Sequence, residues 1–145
     1  MVQLKEKTAV AFKAGFRLVA TAAGKANKEN SGGALMLCRK HLAAWHRERA
    51  PLLHDGQQKP TQAHGHDWLA CQLHLKGTQL TVYVVYLTNG IGPKGISIAK
   101  LNQIASSIAH CSGPVLLIGD WNMDIDELMS TGIFTPKTTT SSSIP

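Results

Sequence analysis

Asp120 and Asn122 are the residues of this chain best suited to chemistry. They stand two apart in the run GDWN, directly after the short apolar stretch PVLLI at 114–118, with Gly119 freeing the backbone to turn. A carboxylate at the mouth of a sheet can take a proton from water as a general base, or hold a metal. An amide two residues on can donate to a phosphate oxygen or orient that water. The same residue types also make turns, because their side chains bond to nearby backbone. The pair therefore needs company, and Tyr86 and Asn89 supply it at the end of the apolar run LTVYVVYL, 80–87. A phenol and an amide there can bind a phosphate or stabilise the charge of its transition state. Asp124, Asp126 and Glu127 read first as acids favoured at a helix N-terminus. His64 and His66, in AHGHD, read as surface residues of a loop.

The elements that would position these residues follow from apolar periodicity. Residues 2–11 carry few turn formers and can start as helix, and 14–22 alternate as a strand. GKANKENSGG, 24–33, is a polar loop with nothing to bury. GALMLCR, 33–39, is apolar on both faces and suits an interior strand. The basic segment 41–50 is a helical turn or a strand flank, and 51–66 is a surface loop. Leu69, Cys71, Leu73 and Leu75 alternate with more polar neighbours, giving a strand with one buried face. Lys76-Gly77-Thr78 turns it into a second strand at 80–87, apolar on both faces and so central. Ser97 is the expected N-cap of a helix reaching about His110. Ile98, Leu101, Ile104, Ala105 and Ile108 form its buried stripe. A buried strand at 114–118 follows, completing a βαβ unit whose strands should run parallel with a right-handed crossover. Ligands of open α/β sheets gather at the carboxyl ends of strands, so this unit would bring Tyr86, Asn89, Asp120 and Asn122 around one point. Asp124 with Glu127 three residues on is a capping pair for a short helix.

Charge is distributed unevenly. The net charge is +6, but residues 1–119 carry 14 Lys or Arg against five Asp or Glu, while residues 120–145 carry one Lys against four acids. A basic body around one acidic spot suits a polyanionic partner and a divalent cation. Lys25, Lys28, Arg39, Lys40, Arg47 and Arg49 are candidates for a phosphate-facing patch. Cys38, Cys71 and Cys111 are odd in number, have no CxxC spacing and sit in apolar segments. They are expected to be buried reduced thiols of an intracellular protein. No apolar run approaches the roughly 18 to 20 residues that span a bilayer, so no membrane partner is expected. The start of the chain lacks the order of a signal peptide.

GALMLCRKHL after a polar SG, a hairpin ending in VYVVYLTNG, an amphipathic helix and then PVLLIGDWN together resemble the endonuclease/exonuclease/phosphatase superfamily. The resemblance covers roughly residues 14–132, and its most specific piece is GDWN, which looks like that family's GDxN motif. It implies a DNase-I-like α/β sandwich of two sheets flanked by helices, and a nuclease-like phosphodiester hydrolase that uses Mg2+ or Mn2+. By resemblance, Asp120 activates the attacking water, Asn122 helps bind the phosphate, Tyr86 stands near the scissile phosphate and Asn89 contacts substrate. The family also carries a metal-binding glutamate in a Gln-Glu motif on an early strand, and an Asp-His pair near the end of the domain. Neither is identifiable here, and no histidine follows Asp120. Residues 1–134 are thus expected to be an incomplete domain, about the middle half of such a sandwich, with 135–145 as a low-complexity tail. The alternative is a non-catalytic remnant that binds nucleic acid or pairs with a second polypeptide supplying the missing strands.

Overall fold

The computed structural model describes residues 9–20, 24–26, 29–31, 34–49 and 67–134. A helical turn at 9–13 is followed by β1 (Phe16–Ala20), β2 (Gly24–Ala26), β3 (Glu29–Ser31), β4 (Leu35–Arg39), β5 (Ala43–Arg49), β6 (Trp68–Leu75) and β7 (Thr78–Tyr86). Helix α1 (Gly95–Ile108), β8 (Val115–Asp120) and helix α2 (Ile125–Ser130) complete the order. The architecture is α/β. Strands β5-β6-β7-β8 form one sheet, β1 pairs with β4, and β2 pairs with β3.

The hairpin of β6 and β7 is the centre of the molecule. Gly77 adopts φ +81° in its turn, a left-handed conformation open to glycine at no steric cost. β7 then returns antiparallel along β6, and Trp68 faces Val85 in register. β8 adds to the other side of β7 in parallel, with Tyr83 opposite Leu117 and Tyr86 opposite Asp120. This is the βαβ unit that the apolar pattern predicts. Parallel neighbours need a crossover, and α1 provides it, laying Leu101 and Ile104 against Trp68, Ala70, Tyr83, Val85 and Leu87. Leu128 of α2 closes the same cluster. Each large apolar side chain withdrawn from water here contributes about 1.5–3 kcal/mol. On the opposite sheet face Leu69 and Cys71 pack with Ala34, Met36 and Val84, which joins the β1–β4 pair to the larger sheet. Arg17 ties the two together, donating to the Ala44 carbonyl at 3.0 Å.

Several expectations need correction. The segment 24–33 is not a bare loop: β2 and β3 pair antiparallel within it. Their residues are polar, so the pairing leaves no apolar alternation to read. β4 is not interior on both faces, for among the described residues it pairs with β1 alone and exposes Leu35 and Leu37. Of the two readings of the basic segment 41–50 the strand one holds: β5 occupies Ala43–Arg49 and, among the described residues, pairs with β6 alone. Both faces of β6 are covered, since Trp68 and Ala70 are as buried as Leu69 and Cys71. Helix α1 is capped by Lys94, and Ser97 lies buried inside its first turn with its N–H on the Lys94 carbonyl. Among the described residues β8 pairs with β7 alone and runs through Gly119 and Asp120, with Leu116 45% and Ile118 43% exposed. Residues 2–8, the loop 51–66 with His64 and His66, and 135–145 lie outside the described residues. Among those described, no helix is long and apolar enough to cross a membrane, which says nothing of membrane β-barrels.

Candidate functional site

Parallel pairing brings the carboxyl ends of β7 and β8 to the same edge of the sheet. The Leu87 N–H donates to the Asp120 carbonyl at 2.9 Å, extending the ladder one residue past β7. Gly119 makes this approach feasible. Its φ is +153°, and a Cβ there would stand 1.9 Å from the Val85 carbonyl oxygen. Beyond it Asp120 is exposed, and its Oδ1 accepts the Asn122 N–H at 3.2 Å. Asn122 sits at φ +49°, a left-handed conformation that Asn tolerates better than most residues. One hydrogen of its side-chain amide is committed to the Leu87 carbonyl at 2.7 Å. The turn reading and the site reading of this pair therefore both hold: the local bonds of a turn aim the two groups.

Trp121, between them, is half-buried and also borders the cavity at this edge. It packs against the α1 cluster and meets Phe134 edge-on, with ring centroids 6.2 Å apart. The indole thereby anchors the turn that carries Asp120 and Asn122. A large aromatic between two polar residues at a strand end was the signal for this anchoring role, which the sequence reading missed.

The cavity at this edge is open, about 650 Å³ in volume, and is lined by Asn89, Asp120, Asn122, Asp124 and Glu127 together with glycines 90, 92 and 119. Three of the four predicted residues thus meet. Tyr86 does not line the cavity; it is half-buried and sits directly opposite Asp120 in the ladder. Asp124 and Glu127 form a full capping box on α2, with the Asp124 N–H on Glu127 Oε2 at 3.2 Å. The helix-acid reading holds for both, yet both also face the cavity. Among the described residues no group of three His, Cys, Asp or Glu side chains is close enough to hold a metal.

Behind the cavity lies a buried ion pair. Lys100 of α1 and Asp67, just before β6, are both almost fully inaccessible and bond directly to each other. The Lys100 ammonium also donates to the Thr88 hydroxyl at 3.4 Å, and the Asp67 carbonyl accepts the Tyr86 N–H at 2.7 Å. The sequence carried a trace of this. Lys100 falls on the buried stripe of α1, three residues after Ser97 and four before Ile104.

Of the predicted basic patch, the side chains of Arg39, Lys40 and Arg47 are described, and each has a partner within the chain, while those of Lys25, Lys28 and Arg49 lie outside the described residues. Arg47 occupies a register irregularity of β5 between His46 and Glu48. A bulge re-aims its side chain, and its guanidinium reaches Thr81, the Cys111 sulfur at 2.9 Å and the His110 carbonyl. Arg39 stacks over Phe16, and Lys40 over Phe12. Near Arg47, burial pushes the Tyr83 hydroxyl up to about 12, reinforced by its bond to Cys111. Burial also raises the Cys71 thiol to about 12, with Cys38 adding to the effect. All three cysteines are free.

No protein-family model matches the sequence, and no curated protein matches it. Solved structures do. The chain is similar to D. rerio TDP2 complexed with a single-strand DNA product, with a TM-score of 0.56 and 16% identity over 90% of this chain and 47% of that one. A D. rerio TDP2 humanized by 14 mutations matches with a TM-score of 0.53 at 16% identity, over 90% of this chain and 48% of that one. The chain spans about half the length of these structures. Their fold is DNase-I-like, and this chain has the same fold over the matched part.

Proposed function

We propose that this chain carries the phosphate-contacting half of a nucleic-acid phosphodiesterase site. The observation that carries the reading is the meeting of Asn89, Asp120 and Asn122 in one open cavity at the carboxyl ends of β7 and β8, on a DNase-I-like fold. In this reading Asp120 accepts the proton of a water, and the Asn122 amide, held by Leu87, offers its remaining hydrogen to a phosphate oxygen. Asn89 contacts the neighbouring part of the substrate. The Tyr86 phenol supports the Asp120 edge from the adjacent strand. A single-strand DNA product bound to a similar structure supports nucleic acid as the substrate class, as does the basic body of the chain.

The superfamily resemblance implies Mg2+ or Mn2+. Mg2+ is held through one or two carboxylates, waters and substrate phosphates. Of the three carboxylates lining the cavity, two serve the capping box of α2, which leaves Asp120. The described residues therefore fall short of a divalent-metal site by themselves. This favours a second reading, nucleic-acid binding without turnover, or turnover only with a second polypeptide. Such a polypeptide has a place to add, because among the described residues β8 pairs on one side only and its Leu116 and Ile118 are exposed. Free thiols, two of them buried, support a reducing intracellular setting.

A Mg2+ titration with fluorescent single- and double-stranded DNA, comparing the chain with Asp120→Ala, separates the readings. Cleavage that requires both Mg2+ and Asp120 establishes hydrolysis by the chain alone. Salt-sensitive binding without cleavage, in a folded chain, supports the binding reading. Neither binding nor cleavage refutes both.

A further inference from the structure

We infer that the buried Asp67–Lys100 pair is a positioning device for the cavity, holding the 86–89 segment against which Asn89 and Asn122 are set. The inference rests on the reading of this cavity as the phosphate site. Four bonds converge on three consecutive residues. The Tyr86 N–H goes to Asp67, the Leu87 N–H to Asp120, the Asn122 amide to the Leu87 carbonyl, and the Lys100 ammonium to Thr88. Two of the four come from the residues of the buried pair, one through the main-chain carbonyl of Asp67 and one through the Lys100 ammonium. Asn89 follows Thr88 directly and lines the cavity. A shift of Thr88 therefore moves Asn89 through one peptide link, and a shift of Leu87 moves the Asn122 amide through one hydrogen bond.

The energetics point the same way. Withdrawing an ammonium and a carboxylate from water is expensive, and apolar residues of similar volume in their place are often neutral or stabilising. A buried pair is thus poorly explained by stability alone. What an apolar pair would not supply is the donor that reaches Thr88. Lys100 carries a bond from α1 to the segment just past β7, and its partner Asp67 immediately precedes β6, the neighbour of β7. The pair locks helix, β6 and β7 together at the level where the cavity begins.

The test compares the full chain with Asp67→Leu/Lys100→Met and with Thr88→Val. It reads thermal unfolding, amide hydrogen exchange at Tyr86 and Leu87, and affinity for a fluorescent single-stranded oligonucleotide. The double variant is expected to keep its unfolding midpoint within a few degrees, to exchange about tenfold faster at Leu87 and to bind about tenfold more weakly. Unchanged exchange and affinity, whatever happens to the midpoint, would show a merely structural pair and overturn the inference. Faster exchange with full affinity would overturn it as well. Should the double variant fail to fold, Thr88→Val removes only the ammonium contact and is decided by the same two readouts. If the unsubstituted chain binds no oligonucleotide, the phosphate reading of the cavity fails, while the exchange comparison still decides whether the pair holds the segment.

Discussion

Among the described glycines, Gly119→Ala should be the most damaging addition of a single methyl group. The residue lies inside β8 opposite Val85, and an added Cβ would fall 1.9 Å from the Val85 carbonyl oxygen and 2.8 Å from its nitrogen and carbonyl carbon. An ordinary contact with that oxygen needs at least 3.4 Å, so β8 must retreat by well over an ångström. The atoms in the way are backbone in the middle of a sheet and have no rotamer to escape into. Ladder bonds on either side, including Leu87 N–H to Asp120, would be stretched beyond hydrogen-bond range, and each lost bond costs about 0.5–1.5 kcal/mol. The positive φ adds about 1–2 kcal/mol for a residue with a Cβ. The sum is about 3–5 kcal/mol, a large share of the roughly 5–15 kcal/mol that holds a domain of this kind together. For a chain of this length the midpoint should drop by roughly 10 °C. Gly77→Ala is the control, because Gly77 has φ +81° and open space where its Cβ would go, so it reports the backbone strain alone. Urea unfolding of both variants gives the comparison. If Gly119→Ala were no less stable than Gly77→Ala, the close approach of β8 to β7, and with it the geometry of the site, would be wrong.

Two further outcomes follow from other parts of the molecule. Tyr83 has its pKa raised to about 12 by burial, then by its bond to Cys111. The folded state therefore keeps a proton that the unfolded state gives up near pH 10. That stability is fully present below pH 10, and about 2 kcal/mol of it is lost by pH 12, at about 1.4 kcal/mol per unit; Tyr83→Phe should flatten this part of the unfolding-versus-pH curve. Asp124→Ala removes the Asp124 side-chain half of the capping box of α2 and should lower stability by about 1 kcal/mol in urea unfolding, while the Glu127 carboxylate keeps its bond from the N–H of residue 124.

The fold was legible where the chain is apolar on a regular period. LTVYVVYL could only be a central strand, and the stripe of Leu101 and Ile104 could only cover it, so the β7–α1–β8 unit and the meeting of Asn89, Asp120 and Asn122 followed. It was not legible where pairing is made by polar backbone alone, as in β2 and β3. Nor was it legible where a strand's exposure depends on what lies beside it, as for Leu116 and Ile118. The same apolar letters spell an interior strand and an edge strand. Within the site, GDWN named the chemistry but not the support. Trp121 as anchor and Lys100 as brace are tertiary facts. A lysine on a buried stripe is ordinarily a residue that reaches out to solvent, and only the position of Asp67 keeps it in.

The parallel register of β8 has a consequence for the time course of folding. β6 and β7 are neighbours in sequence and can close as a hairpin on the microsecond scale. Asp120 meets Tyr86 only after more than thirty residues of intervening chain, with α1 among them, have been laid down. Contacts of that sequence separation carry the larger loop-closure entropy and form late. The cavity is therefore expected to form after the hairpin. A chain still emerging from a ribosome has its hydrophobic centre before it has any site, and a chain that begins to open loses the site while the hairpin still stands.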